Sequence, residues 1–242
     1  GMITEWEAVQ ACGTSVGLQR GDTAEKTHCS RLRAASARLA GVWHAAGVLA
    51  DALLPKQTAG AAGRVYAPKA HGASSLHAGY AADAVGAFAL FSSVAALLGG
   101  AGQANYSAAN ACLDALASAR RGSGRVAASV QWGAWAELGM AARGPASARM
   151  AAAEAASGFG RIGLAQGLAA LGTAVGLGGP AVLGVVPLVW SRVLGGGRVS
   201  PSFLSSFAPL ASVGMSEVRL YRHLGADIQC RYVELTQTDT CV

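Results

Sequence analysis

Short apolar runs alternate with longer alanine-rich segments along this chain, and the alternation limits the possible folds more than any other feature. Four runs have the length of a buried strand and lie at residues 39–48, 85–95, 125–135 and 181–187. Helices are predicted between them at residues 51–80, with a kink near Pro68, at 105–120 and at 163–176. Strict alternation of strand and helix predicts an α/β domain with a Rossmann-like, doubly wound parallel sheet. Ligands bind such sheets at the carboxyl ends of the strands.

The length of 242 residues fits one domain of this class. Residues 1–199 carry the alternating pattern, whereas residues 200–242 are more polar and lose the bias towards alanine and glycine. We expect the second segment to be a linker and tail. The polar, alanine-rich stretch at 137–160 lies beside the third strand and is interpreted as a mobile lid.

Charge and cysteine usage exclude several classes of protein. The net charge is +6, but the arginines are scattered, no basic run is longer than Arg120-Arg121, and no aromatic residues are interleaved with that run, so nucleic acid is not an expected partner. Residues 163–190 contain no charge, yet Gly178-Gly179-Pro180 divides them into two short elements, so a membrane span is not expected. Five cysteines without C-x-x-C spacing fit the cytoplasm or another reducing intracellular compartment.

Four polar residues are spaced so that they can meet in one crevice. Ser93 ends the second strand, Tyr106 and Asn110 lie one turn apart on the following helix, and Lys69 precedes that strand. Taken singly, each has an ordinary structural reading: a packed tyrosine, a surface lysine, a turn serine and an outward asparagine. A tyrosine becomes a useful acid near neutral pH when a nearby cation stabilises its phenolate. The joint spacing therefore favours an active site.

The stretches that carry these residues resemble a known family. "GVWHAAGVLADALL", "YAPKAHGASSLH", "FALFSSVAALLGGAGQANYSAANACLDALA", "VQWGAWAELGMAA" and "GLAQGLAALGTAVGLGGPAVLGVVPLVW" occur in the order and at the spacing of the ketoreductase domains of modular polyketide synthases and fatty acid synthases. These domains are members of the short-chain dehydrogenase/reductase superfamily. The resemblance covers about residues 16–195. In this family the lysine lies upstream and an asparagine follows the tyrosine, as they do here.

The resemblance implies an NADPH-dependent reduction of 3-oxoacyl thioesters carried on an acyl carrier protein, next to other synthase domains. Tyr106 would donate the proton, Lys69 would stabilise its phenolate and hold the ribose hydroxyls, and Ser93 would bind the substrate carbonyl oxygen. Asn110 would hold the lysine or an ordered water in the proton relay. No metal is implied.

Further cofactor contacts follow from the same resemblance. Ala45, Ala46 and Gly47, in "HAAG", would lie beneath NADP(H), while His44 is expected to be a buried, hydrogen-bonded histidine. Asp22 would contact the adenine, and Gly133 would let the nicotinamide side approach the backbone. The ordinary readings are strand-end packing for "HAAG" and a loop aspartate for Asp22.

Part of the family pattern is expected to be missing. Ketoreductases carry a glycine-rich phosphate-binding loop at their first strand, and only 43 residues precede His44, so we expect the first strands and that loop to be absent from this chain. Two readings stay open: a ketoreductase, or a truncated, non-catalytic structural or interaction module. A free-standing dehydrogenase is disfavoured by the Tyr-x-x-x-Asn order. "GVLAD" resembles the Leu-Asp-Asp motif of one ketoreductase class with its middle Asp lost, and Leu98 stands where the other class has tryptophan, so the resemblance favours a D-hydroxy product.

Overall fold

The fold centres on one five-stranded sheet. The computed structural model describes residues 11, 13, 17–35, 39–137, 139, 147–194, 202–207 and 216–223. The strands are β1 (Gly41–His44), β2 (Ala87–Ser93), β3 (Ala128–Trp132), β4 (Val182–Val189) and β5 (Ser216–His223). They lie in the order β1-β2-β3-β4-β5, with β1 to β4 parallel and β5 antiparallel to β4. The expected parallel α/β sheet is confirmed.

Helices cover both faces of the sheet. The helices are α1 (Lys26–Ala34), α2 (Ala59–Tyr66), α3 (Gly72–Gly79), α4 (Ala95–Leu98), α5 (Ala104–Gly122), α6 (Ser147–Ala156), α7 (Leu164–Val175) and α8 (Trp190–Val193). On one face, buried residues of α1, α3 and α5 pack against Phe88 and Leu90 of β2. On the other, α7 packs against Val130 and Trp132 of β3. This two-sided burial explains why the strand sequences are almost continuously apolar.

The kink expected near Pro68 is a wide helical turn. Residues Ala67–His71 form a single π-type turn between α2 and α3. Proline has no backbone N–H to donate to the preceding turn and its ring clashes with the carbonyl four residues earlier, so the regular helix is interrupted there. The turn carries Lys69 into the interior, where its side chain is only 3% exposed.

The C-terminal end of α5 contains a buried arginine. Arg120 is 2% exposed, and its guanidinium lies 3.8 Å from the centre of the Phe88 ring. Its Nε donates to the Val126 carbonyl at 3.2 Å, and its Nη1 lies 2.8 Å from His77 Nδ1. Because an arginine nitrogen can only donate, His77 accepts this bond through an unprotonated Nδ1.

The uncharged stretch at 163–190 contains a helix of twelve residues, α7, followed by β4. In the part of the chain that the structure describes, no helix has the length and apolar character that a bilayer crossing requires. The stretch is therefore divided at the Gly178-Gly179-Pro180 turn, as its sequence indicates.

Two segments have more structure than the sequence indicates. The stretch interpreted as a lid contains the helix α6, although residues 138 and 140–146 lie outside the described residues. Within the expected tail, Leu204 is 7% exposed and packs near Trp190, and β5 extends the sheet along β4. Part of the segment after residue 200 thus joins the domain.

The opposite edge of the sheet is open among the described residues, where β1 pairs with β2 alone. Trp43 of β1 is 52% exposed. A groove of about 350 Å³ runs along this edge and is lined by residues that include Val42, Trp43, Ala45 and Ala46. An open strand edge presents free N–H and C=O groups to any further strand.

Candidate active site

Three elements bring the four predicted catalytic residues together. Ser93 is the last residue of β2, Tyr106 and Asn110 lie in the first two turns of α5, and Lys69 comes from the π-type turn. The chain between Ser93 and Tyr106 contains α4 and a glycine-rich loop, which returns α5 across the end of β2. The cluster therefore forms at the carboxyl end of the strands, as expected for a parallel sheet.

Lys69 is a buried cation beside the tyrosine. Its Nζ lies 5.3 Å from the centre of the Tyr106 ring and donates a hydrogen bond to the Phe91 carbonyl at 3.0 Å. Burial lowers the pKa of Lys69 from 10.5 to about 8, and the carboxylate of Asp114 raises it in the opposite direction. The Lys69 side chain is therefore mostly protonated at pH 7, because its pKa lies only about one unit above that pH.

Tyr106 is buried next to hydrogen-bonding groups. Burial is the main cause that raises the pKa of Tyr106 above 10.0, and the charge of Asp51 raises it further. The side chains of Asn110 and Ser93 act in the opposite direction and lower that pKa. The hydroxyl is thus protonated near neutral pH, and the surrounding groups favour the phenolate that would remain after proton donation.

Asn110 is fully buried and incompletely hydrogen-bonded. Its Nδ2 donates to the Tyr106 carbonyl oxygen at 2.8 Å, while its Oδ1 accepts no hydrogen bond from any of the described residues. A buried acceptor without a partner is costly, and a water or an ammonium is the usual remedy. The orphaned oxygen fits the expected role of Asn110 in holding a water or Lys69.

A hydrogen-bonded loop borders the site and was not anticipated from the sequence. Ala52 N donates to the Gly102 carbonyl at 2.9 Å, and Asn105 Nδ2 donates to the Ala50 carbonyl at 2.9 Å. Gln103 Nε2 also donates to Asp51 Oδ2 at 3.1 Å. These bonds join the loop after β1 to the start of α5. The polar residues flanking Tyr106 were the available signal.

The predicted cofactor residues of "HAAG" lie beside the lysine and the open edge. A Cβ at Gly47 would be 2.9 Å from Lys69 Cε, so glycine is required for the lysine to lie there. Ala45 and Ala46 line the groove along β1. His44 is 3% exposed, and its Nε2 donates to the Lys69 carbonyl at 3.2 Å. The expectation of a buried, hydrogen-bonded histidine is thus confirmed, and burial lowers the pKa of His44.

Asp22 lies farther along the same edge. It accepts a hydrogen bond from Ala24 N at 2.9 Å, its own N–H donates to His28 Nδ1 at 2.9 Å, and its side chain is exposed. It lines a cavity of about 100 Å³ that adjoins the β1 groove, since Thr23 and Leu32 line both. The structure thus aligns Asp22 with Ala45 and Ala46 along one edge.

Gly133 has a packing role in this structure. A Cβ at this position would lie 3.0 Å from Val186 Cγ2 and 3.2 Å from the Val185 carbonyl oxygen. The residue therefore allows β3 and β4 to approach each other, and nothing in these contacts requires a ligand.

A literal G-x-G-x-x-G sequence occurs at residues 158–163, immediately before α7. Gly158 has φ +87°, and a Cβ there would lie 2.8 Å from the Val189 carbonyl oxygen. A Cβ at Gly160 would lie 2.8 Å from Pro187 Cβ. The segment follows α6 and packs against β4, whereas the phosphate-binding motif follows a strand. These glycines are explained by packing.

The parallel sheet with helices on both faces, and with Lys69, Ser93, Tyr106 and Asn110 at its carboxyl end, is a fold of the short-chain dehydrogenase/reductase type. The KR domain family model matches residues 2–137, which is more than half of the chain. The chain belongs to this ketoreductase family.

Solved ketoreductases support the same assignment. A structure described as A-type ketoreductases from a modular polyketide synthase is 31% identical, with a TM-score of 0.76 over 85% of this chain and 43% of that chain. The first ketoreductase of the tylosin polyketide synthase is 32% identical, with a TM-score of 0.72 over 86% of this chain and 45% of that chain. This chain therefore spans less than half of those chains.

Relatives by sequence are large synthases. The phthioceranic/hydroxyphthioceranic acid synthase of Mycobacterium tuberculosis (strain H37Rv) is 42% identical over 137 residues, which are 55% of this chain and 6% of the synthase. Polyketide synthase GfsA of Streptomyces halstedii is 53% identical over 102 residues, which are 42% of this chain and 1% of that synthase. The similarity is confined to a small part of each synthase.

Proposed function

We propose that this chain is the ketoreductase part of a polyketide synthase or a fatty-acid-synthase-like protein. It would reduce 3-oxoacyl thioesters on an acyl carrier protein to 3-hydroxyacyl thioesters with NADPH. One observation supports this most: the buried ammonium of Lys69 lies beside the Tyr106 ring, at the end of the strand that carries Ser93. Burying a charge is expensive, and such groups cluster at functional sites.

Proton donation is assigned to Tyr106. As the ketone oxygen gains negative charge, the tyrosine hydroxyl transfers its proton and becomes a phenolate. The positive charge of Lys69 stabilises that phenolate, and the low polarity of the buried site strengthens the attraction. The Ser93 hydroxyl donates a hydrogen bond to the same substrate oxygen.

Reprotonation of the phenolate is assigned to a path through Asn110. Its orphaned Oδ1 would accept a hydrogen bond from a water that links Lys69 to bulk solvent. NADPH, when bound, would supply the hydride to the ketone carbon. The groove beside Ala45 and Ala46 adjoins the cavity beside Asp22, which supports placing the dinucleotide along this edge, where Lys69 would hold its ribose hydroxyls.

Cofactor binding can be tested by titrating the full chain with NADPH and following nicotinamide fluorescence. We expect saturable binding below millimolar concentrations that is lost or weakened at least tenfold in Lys69→Ala. Lys56→Ala is the matched control, because it removes the same charge from an exposed side chain. Absence of binding at millimolar NADPH, or equal binding by both variants, would refute the cofactor assignment.

The open edge of β1 favours a second candidate, a non-catalytic module that joins another segment of a synthase by pairing of strands. Among the described residues β1 has one strand neighbour, and Trp43 is largely exposed beside the groove. Edge strands of this kind accept an added strand from a partner. This reading predicts a folded chain that does not bind NADPH, so the same titration separates the two candidates.

We also propose that the protein works in a reducing compartment such as the cytoplasm. The thiols of Cys29 and Cys112 are free, and Cys112 is exposed. An exposed free thiol is uncommon where disulfides form readily. Mass spectrometry of the protein isolated without reductant, with free thiols blocked at lysis, should show Cys112 unmodified by oxidation; an oxidised Cys112 would contradict this proposal.

A further inference from the structure

A layer of buried polar side chains lies between α5 and the two central strands. Ser129 is fully buried and Gln131 is 7% exposed, both on β3. Ser129 Oγ donates to Asp114 Oδ1 at 2.6 Å, and Gln131 Nε2 donates to Asp114 Oδ2 at 2.8 Å. Each carboxylate oxygen of Asp114 therefore has its own donor, which fixes the side chain in one orientation.

Lys69 hydrogen-bonds to the strand beside this layer. Its hydrogen-bond acceptor, the Phe91 carbonyl, belongs to the residue of β2 that pairs in register with Val130 of β3. Val130 lies between the two residues that hold Asp114. On α5, Asp114 follows Tyr106 and Asn110 at intervals of four residues, so the three lie on one broad face of the helix.

We propose that Asp114 is a positioning residue for Lys69. Its fixed carboxylate attracts the buried ammonium and keeps it charged next to Tyr106. This inference rests on the role proposed above for Lys69. Burial disfavours the charged form of Lys69, and Asp114 is the charge that acts against this penalty. The carboxylate belongs to α5 and the ammonium to the π-type turn, so their attraction acts between two elements.

Other groups face Lys69 and must be considered in any titration. The Tyr106 ring approaches from α5, and His44 of β1 donates to the Lys69 carbonyl. The charge of Lys69 contributes to the lowered pKa of His44, which is thus neutral when Lys69 titrates. Tyr106 is also protonated at that pH because burial raises its pKa. Asp114 is therefore the group whose charge the test must change.

The test measures Lys69 itself, without cofactor or substrate. The chain has only three lysines, at positions 26, 56 and 69, so selective 13Cε-lysine labelling of the full chain gives three resonances. Loss of one resonance in Lys69→Met assigns that of Lys69. In the native chain we expect the midpoint of the Lys69 resonance near pH 8.

The decisive variant is Asp114→Asn, which keeps the shape and both hydrogen bonds once the Gln131 amide flips, and removes the charge. We expect the midpoint of the Lys69 resonance to shift to lower pH, while the resonances of Lys26 and Lys56 are unaffected by the substitution. Asp114→Glu, which keeps the charge, should restore the midpoint towards the native value. The matched control is Asp83→Asn, which loses the same charge from an exposed pair with Arg33 and should leave Lys69 unchanged.

An unchanged Lys69 midpoint in Asp114→Asn, or an equal shift in Asp83→Asn, would overturn the proposal. If Asp114→Asn does not fold, the double variant Lys69→Met/Asp114→Asn decides. A double variant that folds supports the proposal, because the uncompensated ammonium was then the cause of unfolding in Asp114→Asn. A double variant that stays unfolded shows that Asp114 acts only through Ser129 and Gln131 and overturns the proposal. The ketoreductase assignment could fail without affecting any of these outcomes.

Discussion

Replacing Lys69 with methionine is expected to stabilise the folded chain while removing the charge that is proposed to stabilise the Tyr106 phenolate. The pKa of Lys69 falls from 10.5 to about 8 on burial. At about 1.4 kcal/mol for each pH unit, keeping this ammonium buried costs about 3 kcal/mol at pH 7. Loss of the hydrogen bond to the Phe91 carbonyl offsets about 1 kcal/mol, so Lys69→Met should gain about 2 kcal/mol.

The lowered pKa of Lys69 also predicts how the stability difference between the two proteins changes with pH. The folded chain binds the Lys69 proton less tightly than the unfolded chain, so the penalty is fully present below about pH 8 and disappears as the pH rises towards 10.5. The stability advantage of Lys69→Met should therefore be constant from pH 7 to 8 and shrink between pH 8 and 10.

Urea unfolding of the two proteins at pH 7, 8, 9 and 10, followed by tryptophan fluorescence, measures this difference. Lys56→Met serves as the control, because Lys56 is exposed and its removal should give no such pH-dependent difference. A Lys69→Met variant that is less stable than the native chain at pH 7, or a difference that stays constant up to pH 10, would refute the reasoning.

Three further predictions concern other residues. Burial, and next the charge of Arg120, lower the pKa of His77, so the folded chain should lose stability as the pH falls below about 6.5. His77→Gln should reduce the slope of the free energy of unfolding against pH between pH 7 and 5. An unchanged slope in urea unfolding would contradict this. Gly47→Ala places a Cβ 2.9 Å from Lys69 Cε and should displace the lysine, seen as a moved 13Cε resonance. Gly133→Ala should destabilise the sheet by about 1–3 kcal/mol in the same unfolding assay, through contact with β4, and a neutral result would argue against that packing.

The positions of the strands could be predicted because a parallel sheet buried on both faces needs continuous apolar runs. The residues at which the strands end could not be predicted. The run predicted at 39–48 gives a strand that ends at His44, because the following residues leave the sheet to contact Lys69 and the start of α5. Strand β5 was not predicted, since its segment lacks a clear apolar pattern and its structure comes from pairing with β4.

The four catalytic candidates could be predicted jointly from their spacing, whereas the surroundings that tune them could not. Asp114 gives no local signal, because its partners Ser129 and Gln131 are 15 and 17 residues away in sequence. Arg120 ends a helix and nothing in the neighbouring sequence indicates burial, yet it is buried over Phe88. Such contacts depend on how elements pack, which local sequence does not encode.

The central claim is that Tyr106 donates a proton during reduction of a 3-oxoacyl thioester. The most direct measurement incubates the full chain with NADPH and a soluble 3-oxoacyl thioester and quantifies the 3-hydroxyacyl product by mass spectrometry, for the native chain and Tyr106→Phe. We expect product from the native chain and a loss of about 100-fold or more in the variant, in which the ring remains but the proton donor is gone. Absence of product from the native chain, or equal yields from both, would contradict the account.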